Sequence, residues 1–158
     1  ALDAEIELAS VAGERALPVG EFVMGNRKTA RRANELVTGI RIPKSSGAIN
    51  SVFLKLGARK YMVISIVMVG ATLETAPDRT VSKARIAVGS CSEVARRLTS
   101  LETALVGQPA SAQLGDMILA EHLTPLTPIA DIRGSAEFRM DAALTLVRRI
   151  VNDLGGRA

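Results

Sequence analysis

Residues 35–69 read ELVTGIRIPKSSGAINSVFLKLGARKYMVISIVMV, and this stretch decides the fold. Residues 36–42 alternate with a period of two and end at a proline, which predicts a strand. Residues 52–56 and 62–73 are rich in valine and isoleucine, which predicts two further strands. Between the first two of these strands, Pro-Lys-Ser-Ser-Gly at residues 43–47 predicts a turn, and residues 44–50 predict a flexible loop that separates two structural regimes.

The segments on either side of this stretch predict paired strands. Residues 4–8 alternate apolar side chains with glutamate, and residues 15–19 can return antiparallel after the turn at Ala12-Gly13. Downstream, a turn at 76–79 precedes residues 81–88, which can form the second strand of a hairpin.

The apolar period changes to 3.6 after residue 90, which predicts three helices. Ser92 is expected to cap the first helix and Gly107 to stop it. Ser111 is expected to cap the second, which Pro125 ends. The third has an apolar stripe formed by Phe138, Ala142, Leu146, Ile150 and Leu154. Strands followed by a helix cluster predict an α+β fold with antiparallel strands, rather than a doubly wound sheet.

Composition excludes several classes of protein. The chain has 158 residues, 47% hydrophobic and 23% charged, so it forms one medium domain or two small ones rather than a disordered chain. Its single cysteine excludes an internal disulfide framework, and no apolar run reaches the ~20 residues of a membrane span. We therefore expect a cytoplasmic protein. Because the first residues already form a strand pattern, we expect the chain to start inside a larger reading frame.

Three residue types are candidates for chemistry. Lys55 lies among apolar residues and could direct its ammonium at an anionic or carbonyl-rich ligand, although a lysine whose stem merely covers apolar surface is commoner. His122, the single histidine, lies near a predicted helix end, where a C-terminal cap is commoner than catalysis. Cys91 is expected to be a buried structural cysteine. No catalytic residue and no metal-ligand spacing is predicted.

The sequence also bears on nucleic acid and phosphate binding. Arginine pairs occur at 31–32, 96–97 and 148–149, two of them on predicted helices. Without a contiguous basic surface or interleaved aromatic residues they favour a solvated or subunit-facing surface over a nucleic-acid site. No glycine-rich phosphate-binding loop is present anywhere in the sequence.

Several motifs occur in one order along the chain. Residues 22–29 and 35–43 follow the pattern F-x-x-G-x-R-x-T … E-L-[LIV]-x-x-I-x-[IV]-P, and residues 53–59 follow F-x-K-x-x-x-R. Residues 84–92, ARIAVGSCS, and 131–139, DIRGSAEFR, add two further motifs. In this register the sequence resembles the C-terminal half of the FAD-binding (medium) subunit of the molybdenum hydroxylases, the family of xanthine dehydrogenase and carbon monoxide dehydrogenase.

The resemblance implies an electron-transfer role. It implies that FAD in the complete subunit passes electrons from [2Fe-2S] clusters to an external acceptor, with the clusters and the molybdenum cofactor on partner subunits. By position, the family lysine near the flavin ring corresponds to Lys55, and an aliphatic residue that contacts the flavin corresponds to Val37, with Thr38 adjacent. A cation near the flavin pyrimidine favours the reduced, anionic ring, and an aliphatic side chain can cover a ring face.

The resemblance also implies a division of the chain. Residues 1–50 would be the incomplete end of the FAD-binding domain, and residues 51–158 a C-terminal domain with a three-stranded antiparallel sheet and three helices. The family's glycine-rich pyrophosphate loops would lie in a missing N-terminal half, so we expect weak or no FAD binding by this chain alone. The alternatives are a non-catalytic subunit-docking module and, less favoured, an RNA-binding protein.

Overall fold

The computed structural model describes residues 1–44 and 49–157. The chain divides into two compact units, Leu2–Ser46 and Gly47–Ala158, with Ala1 assigned to the second. The elements of the first unit are β1 Glu5–Ser10, β2 Gly13–Pro18, the single-turn helix α1 Val19–Phe22, β3 Val23–Gly25, β4 Lys28–Thr29 and β5 Leu36–Arg41. Those of the second are β6 Ile49–Leu56, β7 Val67–Thr75, β8 Val81–Gly89, β9 Arg96–Arg97, α2 Thr99–Leu105, two 3-10 turns at Leu114–Met117 and Ala120–Leu123, and α3 Ala136–Gly156.

The first unit is built on an antiparallel sheet in the order β2-β1-β5. The hairpin of β1 and β2 turns at Gly13, whose φ of 131° lies in a region that glycine tolerates and other residues rarely adopt. Alternation on β1 turns Ile6 and Leu8 inward, where they form a small core with Phe22 of α1. Strand β5 lies at the edge of this sheet, so one side of its backbone has no strand partner among the described residues.

The second unit is an antiparallel sheet in the order β6-β7-β8-β9 with its helices packed on one face. Every second residue of β7, including Val67, Val69 and Leu73, is almost fully buried in that core. On the neighbouring strand β6, the side chains that point to the other face of the sheet, Phe53 and Lys55 among them, are exposed. The strand period thus directs Lys55 away from the apolar core.

Helix α3 organises the packing of the second unit. The Ser135 side chain accepts a hydrogen bond from the amide of Phe138 at 3.2 Å and so caps the helix. Its buried stripe, which includes Leu146, Ile150 and Leu154, packs on β7 and on the first 3-10 turn. Glycine allows the neighbouring backbone to come close, because a side chain at Gly155 would overlap the carbonyl oxygen of Ser111.

The α+β class with antiparallel sheets is confirmed, and particular elements differ from the sequence expectation. The predicted three-stranded sheet has a fourth strand, the two-residue β9. The first helix begins at Thr99 rather than after Ser92, because residues 96–97 pair with β8 instead of coiling. Two 3-10 turns take the place of the helix expected between Ser111 and Pro125.

Two further details depart from the sequence expectation. Strand β7 begins at Val67, so residues 62–66 form part of a turn. Phe138 lies 47% exposed outside the core stripe, over Gly134. Residues 45–48 of the predicted loop lie outside the described residues, and its last two residues, Ile49 and Asn50, belong to β6 because they pair with β7. Within the described part of the chain, no helix is long and apolar enough to cross a membrane.

Candidate functional site

Strand β5 carries two of the three residues singled out from the sequence. Its register with β1 pairs Glu7 with Gly39 and Leu8 with Val37, so Thr38 is an extra residue without a partner across the sheet. Such a β-bulge bends a strand and changes the direction of its side chains, and bulges are frequent next to functional sites. Val37 is 49% exposed, so its aliphatic side chain is free to cover an apolar ligand.

A buried ion pair fixes the start of β5. Glu35 is 5% exposed and accepts hydrogen bonds from Nε of Arg15 at 2.7 Å and from Nη2 of Arg15 at 2.9 Å. The backbone amide of Arg32 donates to the same carboxylate at 2.7 Å. The Arg15 side chain and then the Arg32 amide lower the pKa of Glu35 to about 2. This carboxylate therefore stays ionised and anchors the strand that carries Val37.

A polar cavity of about 330 Å³ lies beside Thr38 within the first unit. Arg15 and Arg41 line it, but both guanidinium groups are ion-paired, Arg41 with Glu5 at 2.8 Å and Arg15 with Glu35. Because these positive charges are neutralised by neighbouring carboxylates, the cavity does not have the character of a diphosphate site. Neither Val37 nor Lys55 lines it.

Lys55 lies near the end of β6, in the second unit, and its ammonium is exposed. Its Nζ donates a hydrogen bond to the Val63 carbonyl at 2.7 Å. An ammonium has three donors, so two of them can still bind a ligand. The arrangement can therefore present an oriented positive charge to a carbonyl-rich or anionic group.

The other residues considered from the sequence have structural roles. Cys91 is fully buried, as predicted, and burial raises the pKa of its thiol. Nδ1 of His122 accepts the amide hydrogen of Leu119 at 3.0 Å, so the imidazole caps the start of a 3-10 turn and not the end of a helix. Among the described residues no group of histidine, cysteine, aspartate and glutamate is placed to hold a metal ion.

One arginine of each pair is also tied into the fold. Arg97 lies on strand β9, whereas the sequence predicts a helix there. Its Nε forms an ion pair with the Glu102 carboxylate at 2.6 Å. Arg148 of α3 donates to the Ile118 carbonyl through Nη2 at 2.6 Å and so holds the loop after the first 3-10 turn. Arg31 donates to the Glu35 carbonyl at 2.6 Å. These contacts occupy guanidinium groups that a nucleic-acid interface would need.

Sequence reasoning missed a buried arginine. Arg139 is 3% exposed, and it donates to the carbonyls of Ile66 and Ser90 and to the Asp131 carboxylate at 2.8 Å. The Arg133 amide and then the Arg139 guanidinium lower the pKa of Asp131 to about 2. Arg139 thus joins the start of β7, the end of β8 and the loop before α3. The sequence signal for the burial of Arg139 was its position on the face of α3 nearest the apolar stripe.

Both parts of the chain match known protein families. Residues 1–45 match the FAD binding domain in molybdopterin dehydrogenase, and residues 52–154 match the CO dehydrogenase flavoprotein C-terminal domain. The chain belongs to the CO dehydrogenase flavoprotein family. Among its relatives are the xanthine dehydrogenase FAD-binding subunit of Escherichia coli O157:H7 and the nicotinate dehydrogenase FAD-subunit of Eubacterium barkeri, each 24% identical.

Three relatives of this CO dehydrogenase flavoprotein family member resemble it in sequence or in structure. The nicotine 6-hydroxylase medium subunit of Paenarthrobacter nicotinovorans is 30% identical over 99% of the chain and 54% of its own length. The CO dehydrogenase of Oligotropha carboxidovorans has a TM-score of 0.89 and 26% identity over 99% of the chain and 54% of that protein chain. For quinoline 2-oxidoreductase of Pseudomonas putida 86 the TM-score is 0.84, with 28% identity over 98% and 53%. The chain thus spans about half the length of the relatives that it matches.

Proposed function

We propose that this chain is part of the FAD-binding subunit of a molybdenum-containing hydroxylase or dehydrogenase. In the complete enzyme this subunit passes electrons from iron–sulfur clusters to an external acceptor, and the clusters and molybdenum cofactor lie on partner subunits. The observation that carries the proposal is the tandem match of residues 1–45 to an FAD-binding domain and of 52–154 to a flavoprotein C-terminal domain. On this basis residues 1–50 are the end of the FAD-binding domain, and residues 51–158 are the C-terminal domain.

The residues that we assign to the flavin ring have suitable chemistry. Val37 is half exposed on a strand that a buried ion pair anchors, so its side chain can cover a ring face. Thr38 lies at the bulge and can present a hydroxyl to a ring heteroatom. Lys55 has donors to spare for the pyrimidine oxygens. When bound, FAD supplies the redox chemistry, and these residues bind and orient it.

The diphosphate of FAD requires additional polypeptide. Tight diphosphate sites use backbone amides of glycine-rich loops or helix N-termini, and no such loop occurs in the sequence. The polar cavity beside Thr38 does not replace them, because its arginines are already ion-paired. We infer that these contacts come from the part of the relatives' length that this chain does not cover, so this chain alone binds FAD weakly.

A second candidate function, subunit docking without a redox role, is favoured by the exposed edge strand. Leu36 is 73% exposed, Ile40 66% and Ile42 52%, an unusual density of large apolar side chains on one short segment. Another polypeptide could pair with β5 and cover them. This function predicts a complete protein without flavin absorbance, whose loss changes only the assembly state.

The decisive experiment compares two lysine variants in the complete subunit. Removing a cation near the flavin pyrimidine destabilises the reduced, anionic ring, so Lys55→Met should lower the midpoint potential of bound flavin. Lys60→Met is the matched control, since Lys60 lies in the following turn with its ammonium over the Tyr61 ring at 5.1 Å. Flavin absorbance and spectroelectrochemical titration measure both variants.

A colourless complete subunit would refute the proposed function and favour docking. A flavin-containing subunit in which Lys55→Met and Lys60→Met give equal potentials would keep the family role but remove Lys55 from the site. For this chain alone, flavin fluorescence titration should show weak or no binding, and sub-micromolar affinity would contradict the assignment of the diphosphate contacts to other polypeptide.

A further inference from the structure

The turn between β6 and β7 is bridged by two cationic side chains, Lys55 near the end of β6 and Arg59 within the turn. Lys55 donates to the Val63 carbonyl at 2.7 Å, and Nη2 of Arg59 donates to the Met62 carbonyl at 2.6 Å. These carbonyls belong to consecutive residues, so the two side chains hold the same short piece of backbone.

The backbone that they hold has an uncommon conformation. Met62 has a φ of +50°, in the left-handed region that residues with a side chain adopt rarely and at an energetic cost. The turn is also tightly closed, because a Cβ at residue 57 would lie 2.6 Å from Cγ1 of Val63 and would force the Val63 side chain to move. Such a conformation persists only where surrounding contacts maintain it. The Arg59 hydrogen bond to the strained residue is one of these contacts.

The position of the Lys55 ammonium depends on the same turn. Its Cα is fixed in β6, where Lys55 pairs with Met68 of β7. The rest of the side chain is a flexible four-carbon stem, whose head is free to move unless an acceptor holds it. The Val63 carbonyl is that acceptor, and it belongs to the Val63–Ile64 peptide, which directly follows the peptide that carries the Met62 carbonyl.

We propose that Arg59 is a positioning residue for Lys55. By holding the Met62 carbonyl it keeps the left-handed turn, which directs the Val63 carbonyl at the Lys55 ammonium and leaves the remaining donors facing the ligand. The inference rests on the proposed function, in which that ligand is the carbonyl-bearing edge of the flavin ring. Arg59 acts through the backbone and not by contact with the ring.

A double-mutant cycle on the complete, flavin-loaded subunit tests this role. The variants are Lys55→Met, Arg59→Met and the pair combined, with Arg59→Lys as the conservative replacement that can still donate one hydrogen bond. The readouts are the flavin midpoint potential and the dissociation constant of FAD. Arg59→Met should shift the potential in the direction of Lys55→Met, and should cause no further shift when Lys55 is already methionine. Arg59→Lys should keep the flavin potential close to that of the unaltered subunit.

The outcomes separate this inference from the proposed function. If Lys55→Met shifts the potential and Arg59→Met does not, the positioning role is wrong and the placement of Lys55 stands. If Arg59→Met causes the same shift with and without Lys55, Arg59 acts through its own charge and the inference is also wrong. If neither variant shifts the flavin potential, Lys55 does not lie at the flavin ring. Both the placement of Lys55 and the positioning role of Arg59 are then wrong. Because Arg59 is exposed, loss of folding should not obscure the result, and Arg59→Lys provides a second variant if it does.

Discussion

Two adjacent glycines at the end of α3 should respond oppositely to alanine. A Cβ at Gly155 would overlap the backbone carbonyl oxygen of Ser111 and come within 3.1 Å of its amide nitrogen, whereas the nearest atom to a Cβ at Gly156 is Cβ of Ala112 at 3.5 Å. In a helix, alanine is favoured over glycine by about 0.8–1.0 kcal/mol. Overpacking a core costs about 1–3 kcal/mol, and rigid backbone absorbs it poorly, so the upper part of that range applies at Gly155.

We therefore expect Gly155→Ala to lower the free energy of unfolding of the second unit by about 2 kcal/mol, the overpacking cost less the gain in helix propensity. Gly156→Ala should leave the free energy of unfolding unchanged or raise it by up to about 1 kcal/mol. The gain is smaller than in a helix interior because the helix end frays. Urea denaturation followed by circular dichroism at the helix band measures both, because α3 is the longest helix described. Equal effects of the two variants, or a stabilising Gly155→Ala, would show that α3 is not pressed against residue 111.

Two further predictions concern buried ion pairs. Arg139→Met should destabilise the second unit by about 2–4 kcal/mol, because it removes a buried donor to two carbonyls and one of the two arginines paired with Asp131. Arg133→Met, at the more exposed of the two arginines, should cost under about 1 kcal/mol, and similar losses for both variants in thermal or urea unfolding would argue against the buried role of Arg139. The pKa of Glu35 falls from 4.5 to about 2 on folding, so its contribution to stability is complete above about pH 4.5 and disappears as the pH falls toward 2. In acid unfolding, Glu35→Gln should flatten the dependence of stability on pH in this window, and an unchanged slope would contradict the assignment.

The parts of the fold set by local pattern were predictable from sequence. The alternation in β1 and the apolar stripe of α3 are local features, and both elements form where the sequence indicates them. The start of α2 was not predictable in this way. The backbone of Leu98 donates to the Ile86 carbonyl at 3.0 Å, and Arg97 pairs with Glu102, so contacts with β8 and α2 hold residues 96–98 out of the helix. Tertiary pairing here overrides the helical period.

The candidate site shows the same limit more sharply. Sequence resemblance named Val37, Thr38 and Lys55, but an expected strict alternation along residues 36–42 placed Thr38 in the same row as Leu36 and Ile40. The register with β1 inserts a bulge at that position, and register is a relation between two strands that one segment does not encode. Likewise, the acceptor for Lys55 depends on the left-handed conformation of Met62, a residue type for which sequence rules do not predict positive φ.

The proposed flavin residues share one structural property that also explains why docking is the competing function. Val37 and Thr38 lie on β5 and Lys55 on β6, and each strand is the edge of its own sheet. Long edge strands usually carry protection such as proline or several charges, yet β6 has a single charged residue over eight positions and β5 has one over six. Edges so weakly protected are open to a partner, either polypeptide or ligand. If that partner were polypeptide alone, the orientation of the Lys55 ammonium would be immaterial, so the dependence of flavin potential on Lys55 separates a cofactor edge from a docking edge.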